Sequence, residues 1–187
     1  MKHEFEGHRV ESARYRDWDY RHNGYYCVTI CTHERQHCFG DIEDENIVLS
    51  PLGRVVQRCW LSIPAHHAHV GIDAWVIMPN HVHGIIIIDH GVTEPALLDS
   101  VAPTGCAAPA MTAIAPKAGS LASVVRSFKD AVTKIAHEQG YTWAGWQTRY
   151  WDRIVRNDDE LLRIREYIMN NPKKWVLERD HPENLWM

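Results

Sequence analysis

The stretch AWVIMPNHVHGIIII, residues 74–88, decides the fold. Ala74 to Met78 is a β-branched and aromatic run, Pro79-Asn80 punctuates it, and His81 to Ile88 resumes it. The segment therefore reads as two adjacent strands joined by a very short turn. Four consecutive isoleucines, Ile85 to Ile88, suit a central strand covered on both faces. In that strand His81 and His83 stand at i and i+2, so their imidazoles project from one face while Val82 points into packing on the other. Such a pair suits two ligands of one metal ion. The alternative is a turn with two solvated histidines, and with 13 His in the chain a chance H-x-H is easy.

Working outward, YYCVTICT (residues 25–32) follows the turn-like His22-Asn23-Gly24 and reads as a strand. Ser50 as N-cap and Pro51 at the first helical position open a helix over Pro51 to Ser62, closed by Pro64. Downstream, residues 93–118 are Ala/Pro-rich and follow neither period, which predicts a mobile loop between two structured halves. Gly119-Ser120 starts a helix whose Leu121, Val124, Val125, Phe128, Val132 and Ile135 keep helical spacing, and Gly140 ends it. An aromatic segment then leads to a last helix capped by Asn157 with Glu160 as its box partner. Leu161, Ile164 and Ile168 give that helix a buried face, and Pro172 stops it. The order β, α, β, β, α, α predicts an α+β fold with an antiparallel sheet.

The chain has 187 residues, 45% hydrophobic and 24% charged, with 20 Lys+Arg against 24 Asp+Glu. That length and balance predict one domain over residues 1–187 and exclude disordered or disulfide-scaffold classes. No apolar run approaches the roughly 20 residues of a membrane span. The charged stretch MKHEFEGHRVESARYRDWDYRHN lacks the apolar core of a secretion signal, so a cytoplasmic protein is expected. Five cysteines without a CxxC pair predict reduced thiols, and Cys27, Cys31, His33, His37 and Cys38 match no zinc template. A formal charge of −4 argues against coating duplex DNA by charge alone. From Leu121 to Lys174, however, ten Lys/Arg face seven Asp/Glu, a local excess of basic residues.

Tyr167 and Asn171 stand at i and i+4 on the last helix and present a phenol and an amide oxygen to one spot. In isolation they also read as a packing tyrosine and a C-terminal cap ahead of Pro172. A phenol, ordinarily a weak nucleophile with a pKa of about 10, becomes a plausible attacker on a phosphodiester beside a divalent ion that polarises a phosphoryl oxygen.

Taken in order, Val76-Ile-Met-Pro-Asn-His81-Val-His83-Gly and, much later, Arg165-Glu-Tyr167-Ile-Met-Asn-Asn171-Pro172 resemble the HUH endonucleases, specifically the single-tyrosine transposases and their REP-associated relatives. YYCVTICT with Phe39-Gly40, Ser127-Phe128-Lys129 and Trp146-Gln147-x-x-Tyr150-Trp151 match the same pattern. The resemblance implies a ferredoxin/RRM-like antiparallel sheet packed with helices, the HUH palm. It implies His81, His83 and Asn171 as metal ligands, Mg²⁺ or Mn²⁺ as the ion, and Tyr167 as the nucleophile. The implied reaction is cleavage and rejoining of single-stranded DNA near a hairpin through a 5′-phosphotyrosine, with a free 3′-OH released and no ATP required. No P-loop sequence occurs. Family members act as monomers or as homodimers.

Single strands are held by aromatic stacking and a basic track, which directs attention to Trp146, Arg149, Trp151 and Arg153. Arg126 and Lys129 on the penultimate helix are candidates for phosphate contact, and Arg14, Arg16 and Arg21 for the foot of a hairpin. For each aromatic residue core packing is an equal alternative, and for the basic ones a solvated polar face. The cluster His66-His67-x-His69 reads as a solvated loop. Two other functions fit the same residues: a replication-initiator-type HUH nickase, and a domesticated hairpin-binding protein that no longer cuts.

Overall fold

The computed structural model describes residues 18–91 and 116–178. Its elements are β1 (Gly24–Cys31), β2 (Gly40–Glu43), β3 (Asn46–Leu49), α1 (Pro51–Leu61), α2 (Ile63–His66), β4 (Val70–Met78), β5 (His81–Ile88), α3 (Leu121–Glu138), β6 (Trp151–Ile154) and α4 (Asp158–Glu178). The main sheet runs β4-β5-β1-β6, antiparallel throughout. Setting aside the small β2-β3 hairpin, α2 and α4, the order β1-α1-β4-β5-α3-β6 is the β-α-β-β-α-β of a ferredoxin-like sheet.

Strand β5 is central, hydrogen-bonded to β4 on one edge and to β1 on the other. Its even-numbered residues Val82, Ile86 and Ile88 join Tyr26, Val28 and Ile30 of β1 in a core that α1 and α3 cover with Leu52, Val56, Trp60, Val124, Phe128 and Val132. Gly84 lies in that row directly over Trp60, and any Cβ there would run into the indole. The odd-numbered residues face the other way, where Ile85, Val76 and Met78 pack with Leu161 and Ile168 of α4. The sheet is thus sandwiched between α1/α3 and α4, and the histidines lie on the α4 side.

The helix starts follow local chemistry. Ser50 Oγ accepts from Gly53 N at 3.0 Å, Ser120 Oγ from Ser123 N at 3.3 Å, and Asn157 Oδ1 from Glu160 N at 2.9 Å. The Glu160 carboxylate returns to Arg156 N at 2.9 Å, so that box closes one residue before the cap.

Four expectations change. Pro172 does not stop the last helix; α4 continues through it to Glu178. A mid-helix proline forfeits one backbone bond at a cost of about 3 kcal/mol, and the burial beyond it, including Trp175 against His81, opposes that cost. Pro64 does not simply close α1; it sits in the first turn of α2. The aromatic segment contains an edge strand, β6, and residues 40–49 form the β2-β3 hairpin, neither anticipated. The histidines at 67 and 69 are not freely solvated: His69 stacks on His90 at 4.5 Å and His67 packs edge-on at 6.0 Å. The loop expected at 93–118 falls almost wholly outside the described residues, as do Arg14 and Arg16. Cys27, Cys31, Cys38 and Cys59 are free thiols, and burial pushes those of Cys27 and Cys38 up to about 11.

Candidate metal and tyrosine site

His81 and His83 are buried, at 2% and 4% exposure, so the solvated-turn alternative does not hold. Their ring centroids are 4.6 Å apart and the rings are nearly perpendicular. Each ring has its Nδ1 occupied. His81 Nδ1 donates to Asn80 Oδ1 at 2.7 Å, while His83 Nδ1 lies 2.8 Å from Thr29 Oγ1 on the neighbouring strand. The turn residue Asn80 and the register that sets Thr29 opposite His83 thereby orient both rings. The two Nε2 atoms are buried and have no hydrogen-bond partner.

Two features of this arrangement bear on metal binding. A ligating imidazole is normally fixed through its other nitrogen, and a buried polar atom without a partner is costly unless something binds it. Burial and the neighbouring His83, Arg35 and His37 push the His81 pKa well below its ordinary value. Burial lowers His83 to about 4, with a hydrogen bond to the Val28 backbone acting in the opposite sense. Both rings are therefore neutral and ligand-competent at neutral pH.

A consequence for stability follows. For a histidine whose folded pKa is depressed, the unfolded chain binds the proton first, so stability present above about pH 6.5 is lost as the pH falls toward the folded pKa. With His83 at about 4, the metal-free protein is expected to lose roughly 3 kcal/mol between pH 6.5 and 4 from this residue alone. Urea unfolding across that range checks it; His83→Gln should flatten the profile.

Helix α4 brings the remaining residues. Tyr167 is half-buried, and its ring meets that of His83 edge-on at 5.6 Å. Lys174 Nζ lies 5.2 Å from the Tyr167 ring centre. Asn171, one turn further, is buried at 5% exposure, so it belongs to the covered face of a continuing helix and does not cap its end. Another turn on, Trp175 stands between His81 at 5.8 Å and His37 at 5.4 Å. Positions 167, 171 and 175 form one i, i+4, i+8 stripe, with Tyr167 and Trp175 at its ends against His83 and His81. Among the described residues no cluster of three or more His, Cys, Asp or Glu gathers to hold an ion. The imidazole pair lies on the sheet, and Asn171 sits one turn beyond Tyr167 on the covered face of the helix packed against it.

The proposed DNA contacts divide. Trp151 pairs with Thr29, which pairs with His83, so the three share one row on the α4 side of the sheet. Trp151 is 42% exposed. At one strand spacing per step it lies about 10 Å from His83. Arg153 is on the same face, ion-paired to Glu160 at 2.6 Å, and Arg149 is exposed just before the strand. The others lie apart from the pair. Trp146 packs among Phe39, Phe128 and Trp143 in the opposite core. Lys129 Nζ donates to the Gln147 carbonyl at 2.7 Å, tying α3 to that segment. Arg126 pairs with Asp130 on the outer side of α3, and Arg21 with Asp19.

Sequence reasoning missed Thr29, Asn80, Trp175 and the ion pair of Arg165 with Asp73. Asn80 was adjacent to the histidines and its amide was a readable signal, whereas the others depend on strand register or helix placement.

No protein-family profile matches the chain. An uncharacterized protein of Haemophilus influenzae is 37% identical over 171 residues, covering 90% of this chain and 91% of that one. Among solved structures, a REP-associated tyrosine transposase bound to a REP hairpin shares the fold, with a TM-score of 0.54 over 87% of this chain and 74% of that one at 18% identity. A transposase-like protein of Deinococcus radiodurans R1 aligns over 85% of this chain and 97% of that one, at 14% identity and a TM-score of 0.37.

Proposed function

Because the chain belongs to one family with the Haemophilus influenzae protein and is built on the fold of a tyrosine transposase, we propose that it is a metal-dependent enzyme that cuts and rejoins single-stranded DNA beside a hairpin. The observation that carries this reading is the meeting of a half-buried tyrosine, at 5.6 Å between ring centres, with a buried histidine pair whose Nε2 atoms are unpartnered.

His81 and His83 would hold the ion through Nε2, and Asn171 through its amide oxygen. Imidazoles alone suit Zn²⁺ at least as well, so Mg²⁺ or Mn²⁺ rests on the likeness to the HUH group. A bound divalent ion supplies positive charge that polarises a phosphoryl oxygen. Tyr167 Oη then forms a bond to phosphorus as the P–O3′ bond breaks. The phenolic proton leaves, the 3′ oxygen takes up a proton, and the strand's 5′ phosphate stays on the enzyme. Reversal by another strand's 3′-OH conserves the phosphodiester, so no nucleotide hydrolysis is needed. Trp151, exposed in the row of His83 and Thr29, would stack a base of the strand entering the site, with Arg149 and Arg153 near it.

Hairpin oligonucleotides with single-stranded flanks, taken from the DNA bordering the gene, test the proposal. With Mn²⁺ they are expected to yield a protein–DNA adduct resistant to denaturing electrophoresis and a new 3′-OH end. Hairpin binding with no adduct under any divalent ion would reduce the protein to hairpin recognition.

A further inference from the structure

The strand that borders β5 is irregular at one place. Pairing of β4 with β5 slips between Ile72 and Trp75, and Asp73 sits in the slip. Such bulges re-aim a side chain out of the regular alternation. Here the side chain reaches across to α4: Asp73 Oδ2 accepts from Arg165 Nε at 2.8 Å and from Arg165 Nη2 at 2.7 Å. The partners are 92 residues apart in the chain.

Arg165 precedes Tyr167 by two positions, and at about 100° per residue the two side chains leave the helix on opposite flanks. Between those flanks lies the covered arc of buried Leu161, Ile168 and Asn171 with half-buried Ile164. That arc is mainly aliphatic, and apolar packing is non-directional, so it resists separation of helix and sheet more than rotation of the helix about its own axis. Two guanidinium N–H groups converging on one carboxylate oxygen make a charge-assisted contact that is directional. At a side-chain radius of about 5–6 Å, a 20° rotation moves the tyrosine tip by about 2 Å, and a misplacement of about 1 Å can cost 10²-fold in rate.

We infer that the Asp73–Arg165 pair is a rotational clamp on α4, and that it positions Tyr167 against the histidine pair. Its catalytic consequence rests on the tyrosine reading above, whereas the clamp itself does not. Asp73 and Arg165 are positioning residues. At 21% and 39% side-chain exposure, the pair adds little to overall stability, so its removal leaves a folded protein.

The test uses the full chain labelled at His and Tyr ring carbons, without metal or DNA, and reads the nuclear Overhauser contacts between the His83 and Tyr167 rings. Asp73→Asn is expected to weaken these contacts while thermal unfolding shifts by no more than a few degrees. The charge-reversed pair, Asp73→Arg with Arg165→Asp, is expected to restore them. Arg165→Lys, which keeps the charge but loses the fork, should fall between. In the adduct assay with Mn²⁺, Asp73→Asn should slow single-turnover adduct formation about tenfold or more, with hairpin and Mn²⁺ affinities held within about twofold. Unchanged ring contacts in Asp73→Asn overturn the clamp, as does a charge-reversed pair no better than either single variant. If the ring contacts respond as stated but Tyr167→Phe still forms adducts, the clamp stands and the nucleophile assignment falls.

Discussion

Tyr167→Phe is expected to remove covalent protein–DNA adducts altogether, a loss of about 10³-fold or more in strand cleavage, because under the proposed mechanism the substitution deletes the one oxygen that would bond to phosphorus. The ring stays, and with it the edge-on packing against His83, so folding, Mn²⁺ affinity and hairpin affinity should change little. Denaturing electrophoresis of labelled hairpin DNA after incubation with Mn²⁺ reads the first quantity, and calorimetry and gel shift read the other two. Adducts formed at the wild-type rate would redirect attention to Tyr25, which packs in the same layer as Tyr167. Tyr150, with Lys129 5.9 Å from its ring, belongs to the opposite core.

The second large effect concerns the imidazoles. His81→Ala and His83→Ala each delete one of two buried nitrogen donors, and among the described residues no third His, Cys, Asp or Glu gathers with the pair. Each variant is expected to weaken Mn²⁺ binding by about 10²-fold or more and to take cleavage below detection. Thr29→Val leaves both imidazoles in place but removes the hydroxyl that orients His83. Its expected loss in metal affinity is smaller, about 10- to 100-fold. Mn²⁺ titration followed by electron paramagnetic resonance measures all three without any DNA. Wild-type affinity in His83→Ala would remove the ion from this site.

The parts of the molecule legible in sequence are those set by local chemistry. The helix caps Ser50 and Asn157 and the helix start at Gly119-Ser120 could be read directly, as could the β4-β5 turn and the shared face of His81 and His83. What escaped is set by contacts distant in sequence. The β2-β3 turn uses Asp44 and Glu45 at φ of 46° and 62°, so it lacks the glycine or asparagine that normally announces such a turn. Strand β6 is four residues long and exists because Tyr26 to Thr29 offers it a ladder. Pro172 obeys the helix-breaker rule in isolation, and packing of α4 onto the sheet overrides it. The pairing of Arg126 with Asp130 and of Lys129 with a backbone carbonyl is likewise invisible until the elements are placed.

The central position of β5 divides the labour of movement. A strand laced on both edges exchanges its amide protons only when the whole sheet comes apart, so the histidines are as immobile as any part of the protein. Helix α4 is attached along one face and crosses a proline where one rung of its own ladder is missing. If the proposed chemistry holds, whatever give is needed to admit and release a DNA strand would therefore come from the tyrosine's side, while the imidazole floor stays still.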